Sequence, residues 1–144
     1  MRIACDTDKC TGCLACVVTC MDYHDADGRE DTVSRRLYRK MVCPSGYTHY
    51  ITESCRHCKN APCMTHCPSG AISRDEVGWT RVDADKCAGC GACAKVCPFG
   101  IPRFDSSGKM VKCDGCGGGT YCVRICPNGA LSVDIMALPK LIYC

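Results

Sequence analysis

CAGCGACAKVCP, residues 87–98, spaces four cysteines as C-x2-C-x2-C-x3-C and follows the last with proline. Three thiolates at intervals of three wrap a loop around one face of an iron–sulfur cubane and supply three of its four iron ligands. The cysteine three residues further on lies past the loop, at the start of a helical turn, and faces away toward a different cluster. Pro98 fixes its φ and withholds an N–H, which steers the chain into the next segment. Small residues between the ligands, Ala88-Gly89 and Gly91-Ala92, let backbone approach the cluster and offer N–H groups to its sulfides.

The pattern recurs three more times. Cys10, Cys13, Cys16 and Cys20 have the same spacing, with Thr11-Gly12 between the first two. Cys55, Cys58, Cys63 and Cys67 read C-x2-C-x4-C-x3-C before Pro68, and Cys113, Cys116, Cys122 and Cys126 read C-x2-C-x5-C-x3-C before Pro127. Gly117, Gly118 and Gly119 add no bulk where the fourth loop must bend. The run with its trailing proline is that of two-cluster bacterial ferredoxins. Zinc is the competing reading, with His24, His49, His57 and His66 as further donors. A tetrahedral zinc site uses two well-separated pairs, so a third cysteine only two residues on is surplus. His57 and His66 read instead as surface groups or as partners of the ligands.

Composition points the same way. Nineteen of 144 residues are cysteine, while Leu, Ile, Val and Phe together make about 17%, below the share that builds a core from side chains alone. Metal staples must replace the missing apolar interior, so the metal-free chain is expected to be largely unfolded. The formal charge of +3 counts every cysteine as a neutral thiol. Each oxidised 4Fe–4S site with four thiolates carries about −2, so four sites turn +3 into about −5. No apolar run approaches the roughly 18 residues of a membrane span. The N-terminal residues MRIACDTDKC lack a secretory apolar region. A reducing, cytoplasmic setting is therefore expected, in which thiols serve metals rather than disulfides.

Residues 2–5 read as a strand and residues 14–20 as a short helix. Residues 22–31 carry five acids against Arg29, and Arg35, Arg36, Arg39 and Lys40 follow without an acid. Alternation from Val33 to Val42 suggests one or two strands, and the basic run reads as the solvated face of a hairpin or as a docking stripe. No aromatic–basic motif accompanies it, which argues against nucleic-acid binding. Ala71-Ile72 and Trp79–Val82 form a hairpin around Glu76-Val77-Gly78, with Trp79 packing over a cluster. Cys97 to Cys113 repeats the hairpin around residues 105–108. The tail from Ala130 reads as a strand and a docking segment. Cys5, Cys43 and Cys144 read as buried thiols outside the motifs.

Four motifs imply four clusters that exchange their fourth ligands. Sequential pairing would join the first motif to the second across residues 21–54, mostly polar. The compact hairpin of residues 68–86 favours joining the second to the third, leaving the first and fourth to close around them. On that reading Cys10, Cys13, Cys16 and Cys126 hold the first cluster, and Cys20, Cys113, Cys116 and Cys122 the second. Cys55, Cys58, Cys63 and Cys97 hold the third, and Cys67, Cys87, Cys90 and Cys93 the fourth.

CTGCLACVVTC, CRHCKNAPCMTHCPSGAI, CAGCGACAKVCPFGIPRF and KCDGCGGGTYCVRICPNGAL resemble the four-cluster electron-transfer subunits of the dimethyl sulfoxide reductase iron–sulfur family. The resemblance covers nearly the whole chain, and Met21 in place of proline after Cys20 is in keeping with it. It implies an α+β fold of two nested bacterial-type 2×(4Fe–4S) ferredoxin modules with a cluster-stabilised core. Residues 1–22 with 106–144 would form the outer module, 51–105 the inner one, and 23–50 a charged hairpin insert. Cys90 stands where some relatives carry Trp and a 3Fe–4S cluster, so four 4Fe–4S clusters are implied. The expected function is electron transfer, without catalysis of its own, between a catalytic partner and an external redox carrier. That partner would be a tungsten or molybdenum oxidoreductase, such as an aldehyde oxidoreductase or formate dehydrogenase, or a hydrogenase. A further redox subunit or soluble carrier would stand at the other end. The alternative is a free-standing soluble polyferredoxin. A sensor or an enzyme would need a module for which the four motifs leave no room.

Overall fold

The computed structural model describes residues 1–25 and 33–134. Among these residues eight short strands form four two-stranded antiparallel sheets: β1 (Arg2–Cys5) with β8 (Leu131–Asp134), β2 (Leu37–Val42) with β3 (Thr48–Glu53), β4 (Ile72–Arg74) with β5 (Thr80–Val82), and β6 (Arg103–Phe104) with β7 (Met110–Val111). Each cysteine motif is followed into one short helix, α1 (Ala15–His24), α2 (Pro62–Thr65), α3 (Ala92–Val96) or α4 (Tyr121–Arg124), and a 3-10 turn spans Gly115–Gly118 in the fourth loop. Helices this short do not stand alone in water; α1 packs on α4 and α2 on α3.

Local chemistry sets the connections. Asp75 and Asp105 open equivalent turns. The Asp75 carboxylate accepts from the backbone N–H groups of Gly78 (2.9 Å) and Trp79 (2.8 Å), and that of Asp105 from Lys109 (2.8 Å). These Asp-based turns fold β4 onto β5 and β6 onto β7. Among the described strands only the pairing of β1 with β8 joins distant sequence, in the register Arg2 opposite Asp134 to Cys5 opposite Leu131. It brings the first motif beside the fourth.

Several expectations are sharpened. The helix expected over 14–20 runs on to His24. Met21 keeps its N–H and its helical φ where proline follows the fourth cysteine of the other motifs. The hairpin of the insert is formed by β2 and β3 and reaches Glu53, and the β6–β7 hairpin crosses residue 105. The basic run is not simply a solvated face. Arg39 and Lys40 are exposed, but Arg36 is buried, because its guanidinium finds Thr52, Ser54 and Cys122 beneath the hairpin. The acidic residues 26–32 and the tail 135–144, including Cys144, lie outside the described residues.

The apolar interior is thin. One cluster joins Ile3, Trp79, Ile101 and Leu131 with Cys16, Cys55, Cys113 and Cys122; the other joins Ile72 and Met110 with Cys93. Cysteines make up much of both. Such a core needs what the sulfurs bind.

Candidate metal centres

Each helix carries the third cysteine of its motif toward one cavity and delivers the fourth toward another. Cys10, Cys13, Cys16 and Cys126 line one small cavity. Cys67, Cys87, Cys90 and Cys93 line a second. Cys55, Cys58, Cys63 and Cys97 line a third. Cys20, Cys113, Cys116 and Cys122 lie close enough to act on one another. Burial, then Asp114, then Cys113, Cys20 and Cys122 push the Cys116 thiol up to about 12, and burial foremost pushes Cys113 up to about 11.

These sites fit iron–sulfur clusters. In the second quartet burial raises the Cys113, Cys116 and Cys122 thiols, while at Cys20 burial is outweighed by the hydrogen bond from His24, which favours the thiolate; a cationic metal core would hold all four as thiolates. Backbone N–H groups point at the sulfurs: Ala130 to Cys126 Sγ (3.2 Å), His57 to Cys55 Sγ (3.4 Å) and Met110 to Cys87 Sγ (3.4 Å). Such donors stabilise thiolate charge and tune the metal they hold. Left-handed backbone at Gly12 (φ 71°) and Gly89 (φ 68°) turns the first and third loops around their cavities. Neither position has room for a side chain. An added Cβ would stand 2.6 Å from the Tyr50 ring at Gly12 and 2.6 Å from the Gly108 carbonyl at Gly89.

Among the groups around the cavities, Lys112 carried no readable sequence signal. Lys112 sends Nζ to within 3.6 Å of Cys55 Sγ, and it donates to the Thr80 hydroxyl at 2.6 Å and to the Thr80 carbonyl. His57 is buried behind the third cavity. Its Nδ1 accepts from the Thr80 backbone N–H at 2.9 Å, its ring meets Trp79 edge-on at 4.7 Å, and burial, then Lys112, pull its pKa down to about 3. It is a neutral partner of the ligand loop, and His66 is an exposed group bonded to Thr65 and Pro62. Trp79 is buried in the main core.

At the second quartet the extra turn of α1 places His24 Nε2 3.3 Å from Asp114 Oδ1, while Arg35 donates to Asp114 Oδ2 at 2.7 Å. Burial opposes charge on His24, but Asp114 and Cys20 outweigh it and raise its pKa to about 9. Burial likewise opposes charge on Asp114, and His24 and Arg35 outweigh it, holding that carboxyl well below its ordinary range. His24, Asp114 and Cys116 offer donor atoms within 4.8 Å of one another. Their arrangement is a tie from α1 to the fourth loop, with Asp114 also accepting from the Cys116 N–H at 2.9 Å. Cys5 is half-buried beside Cys10. Cys43 corrects the expectation of a free thiol: it is buried in the turn after β2 and disulfide-bonded.

Motifs, cavities and donors define an iron–sulfur protein. The family comparison agrees. The description 4Fe-4S dicluster domain matches residues 47–135 and 4Fe-4S binding domain matches residues 7–22. This protein belongs to the 4Fe-4S dicluster domain family. Its cofactors are 4Fe–4S clusters, four by the count of cysteine quartets. Similar proteins include the thiosulfate reductase electron transfer subunit PhsB of Salmonella typhi, 38% identical over 67% of this chain and 51% of the relative. A chain of the anaerobic dimethyl sulfoxide reductase of Escherichia coli (strain K12) is 36% identical over 74% of this chain and 57% of its own length. A subunit of the sulfite dehydrogenase of Allochromatium vinosum is 31% identical over 78% and 53%. The chain spans about half the length of the curated relatives it matches.

Proposed function

We propose that this protein is the electron-transfer subunit of an oxidoreductase complex, carrying single electrons between a catalytic partner and a second redox carrier. Two nested two-cluster modules make the path. The first cluster is held by Cys10, Cys13, Cys16 and Cys126, the second by Cys20, Cys113, Cys116 and Cys122. The third is held by Cys55, Cys58, Cys63 and Cys97, the fourth by Cys67, Cys87, Cys90 and Cys93. The observation that supports this reading is that Cys126 lines the cavity of the first motif, Cys67 that of the third and Cys97 that of the second, while Cys20 lies near Cys116 of the fourth. Neighbouring clusters would then be joined through single short helices.

When bound, the clusters supply one-electron chemistry. The chain's own groups hold the thiolates, donate N–H bonds to them and keep water from their buried sides. Among the described residues no helix is long and apolar enough to cross a membrane. The names of these relatives support a catalytic partner of the kind found in thiosulfate reductase, dimethyl sulfoxide reductase and sulfite dehydrogenase complexes. We therefore favour a molybdenum or tungsten oxidoreductase partner over a hydrogenase.

Anaerobic purification of the native protein tests this. Four 4Fe–4S clusters require about 16 iron atoms per chain and broad visible absorption that dithionite bleaches. A catalytic subunit should co-elute. Iron near zero would overturn the cluster assignment, and a monomer fully loaded with iron but without a partner would overturn the complex.

A further inference from the structure

Arg36 and Lys112 are the buried lysine and arginine side chains among the described residues, 3% and 2% exposed. Neither lies within ion-pair distance of a carboxylate among those residues. A buried cation without an opposite charge is strongly disfavoured, so something else must supply that charge.

Both cations stand against cysteine sulfur. Arg36 Nη1 is 3.6 Å from Cys122 Sγ, and its Nη2 donates to the Thr52 hydroxyl at 2.9 Å. Its Nε–H is buried with no protein acceptor. Lys112 Nζ lies 3.6 Å from Cys55 Sγ of the third quartet and donates to the carbonyl of Cys113, a residue of the second, at 3.2 Å. The remaining acceptors around Lys112 are the neutral hydroxyl and carbonyl of Thr80.

The outer quartets differ. Lys9 borders the first cavity with its side chain 60% exposed and paired to Asp6 at 3.9 Å. Lys109, half-buried, donates to the Cys87 carbonyl at 2.6 Å rather than to a sulfur. Water screens charges placed there, whereas the interior screens Arg36 and Lys112 far less.

We propose that Lys112 and Arg36 are built-in counter-charges of the third and second clusters, positioning residues that hold those two potentials above the potentials of the first and fourth. The inference rests on the four-cluster reading. Reduction adds one electron, taken from the donor at either end, to a site already carrying about −2. A fixed positive charge beside the thiolates stabilises the reduced form, and no proton need follow. An electron entering at the first or fourth cluster then settles on the second and third, which act as its reservoir.

The test is a potentiometric titration of the full-length iron-loaded protein, followed by electron paramagnetic resonance. It compares wild type with Lys112→Gln, Lys112→Arg and Lys109→Gln, and Cys58→Ser marks the third cluster's signal. Lys112→Gln should shift that signal alone to lower potential, Lys112→Arg should keep it near wild type, and Lys109→Gln should shift the fourth cluster's signal by less. Unchanged potentials in Lys112→Gln at full iron content would overturn the proposal. So would loss of the third cluster in the Gln and Arg variants alike, which marks a packing role. If Lys112→Gln alone loses its cluster, Arg36→Gln and Arg36→Lys apply the same comparison to the second cluster and decide the matter. Iron near 16 per wild-type chain separates failure of this inference from failure of the cluster reading.

Discussion

The first and third motifs have identical cysteine spacing, yet the helices that follow differ twofold in length. α1 holds ten residues and α3 five. The difference lies in one residue. Pro98 forces Cys97 into extended backbone (φ −79°, ψ 112°) and ends α3, whereas Met21 lets α1 continue for another turn. That turn carries Tyr23 and His24 to the fourth motif. The Tyr23 ring lies 4.7 Å from that of Tyr121, its hydroxyl donates to the Cys116 carbonyl at 3.5 Å, and His24 reaches Asp114. After α3 the chain instead turns away, and Phe99 lies under the Arg56 guanidinium at 4.0 Å. The spacing of a ligand run thus sets the metal site, while the residue after its last cysteine sets what the site is tied to.

Removing iron should erase the comparison altogether. With cysteines forming so much of both apolar clusters, anaerobic chelation is expected to abolish cooperative unfolding and the near-ultraviolet circular dichroism of Trp79. Retention of both would mean that the side chains alone suffice.

Met21→Pro makes the first motif resemble the third and should cost about 3 kcal/mol or more. It ends α1 early and releases His24 from Asp114. Thermal unfolding should show the loss, with iron loss greatest at the second cluster. The reverse change, Pro98→Ala, leaves all four thiolates in place and should shift stability by less than about 1 kcal/mol.

Gly12 and Gly89 occupy equivalent places in the two loops, but their neighbours differ. Gly89→Ala drives a methyl against the Gly108 backbone, which cannot yield without moving the β6–β7 turn; Gly12→Ala meets the movable Tyr50 ring. Gly89→Ala should therefore destabilise by about 2–3 kcal/mol and Gly12→Ala by about 1–2, both including the cost of left-handed backbone. Equal losses on thermal denaturation would refute that ordering.

The smallest effect is a gain. Leu14 (φ 63°) occupies the position held by Gly91 (φ 74°) in the third motif, and it is exposed at 38%. Leu14→Gly should remove strain and stabilise by up to about 1 kcal/mol, offset in part by glycine's greater freedom in the unfolded chain. Chemical denaturation of the loaded protein would register it.

Much of this was legible in the residues. The four cysteine motifs, the two hairpins and the terminal strands follow from spacing and turn chemistry, because cluster ligation and tight turns act over a few neighbours. The extension of α1 was legible only in retrospect, in the absence of a proline at residue 21. The environment of the basic run was not, since Arg35, Arg36, Arg39 and Lys40 look alike in the chain. What separates them is the floor beneath β2, where Thr52, Ser54 and Cys122 arrive from two other segments. Lys112 is equally silent, because the sulfur it approaches belongs to Cys55 on a remote loop.

The sequence by itself determined the chemistry: which sixteen cysteines lie in quartets, that iron–sulfur clusters replace the scarce apolar core, and that bound metal makes a formally basic chain acidic. Tertiary structure alone decided which charges lie beside those sulfurs and which lie in water. Ligand spacing is local and survives in any fold that closes the loop. The burial of a cation, and hence its strength on a neighbouring sulfur, depends on how distant segments exclude water around it.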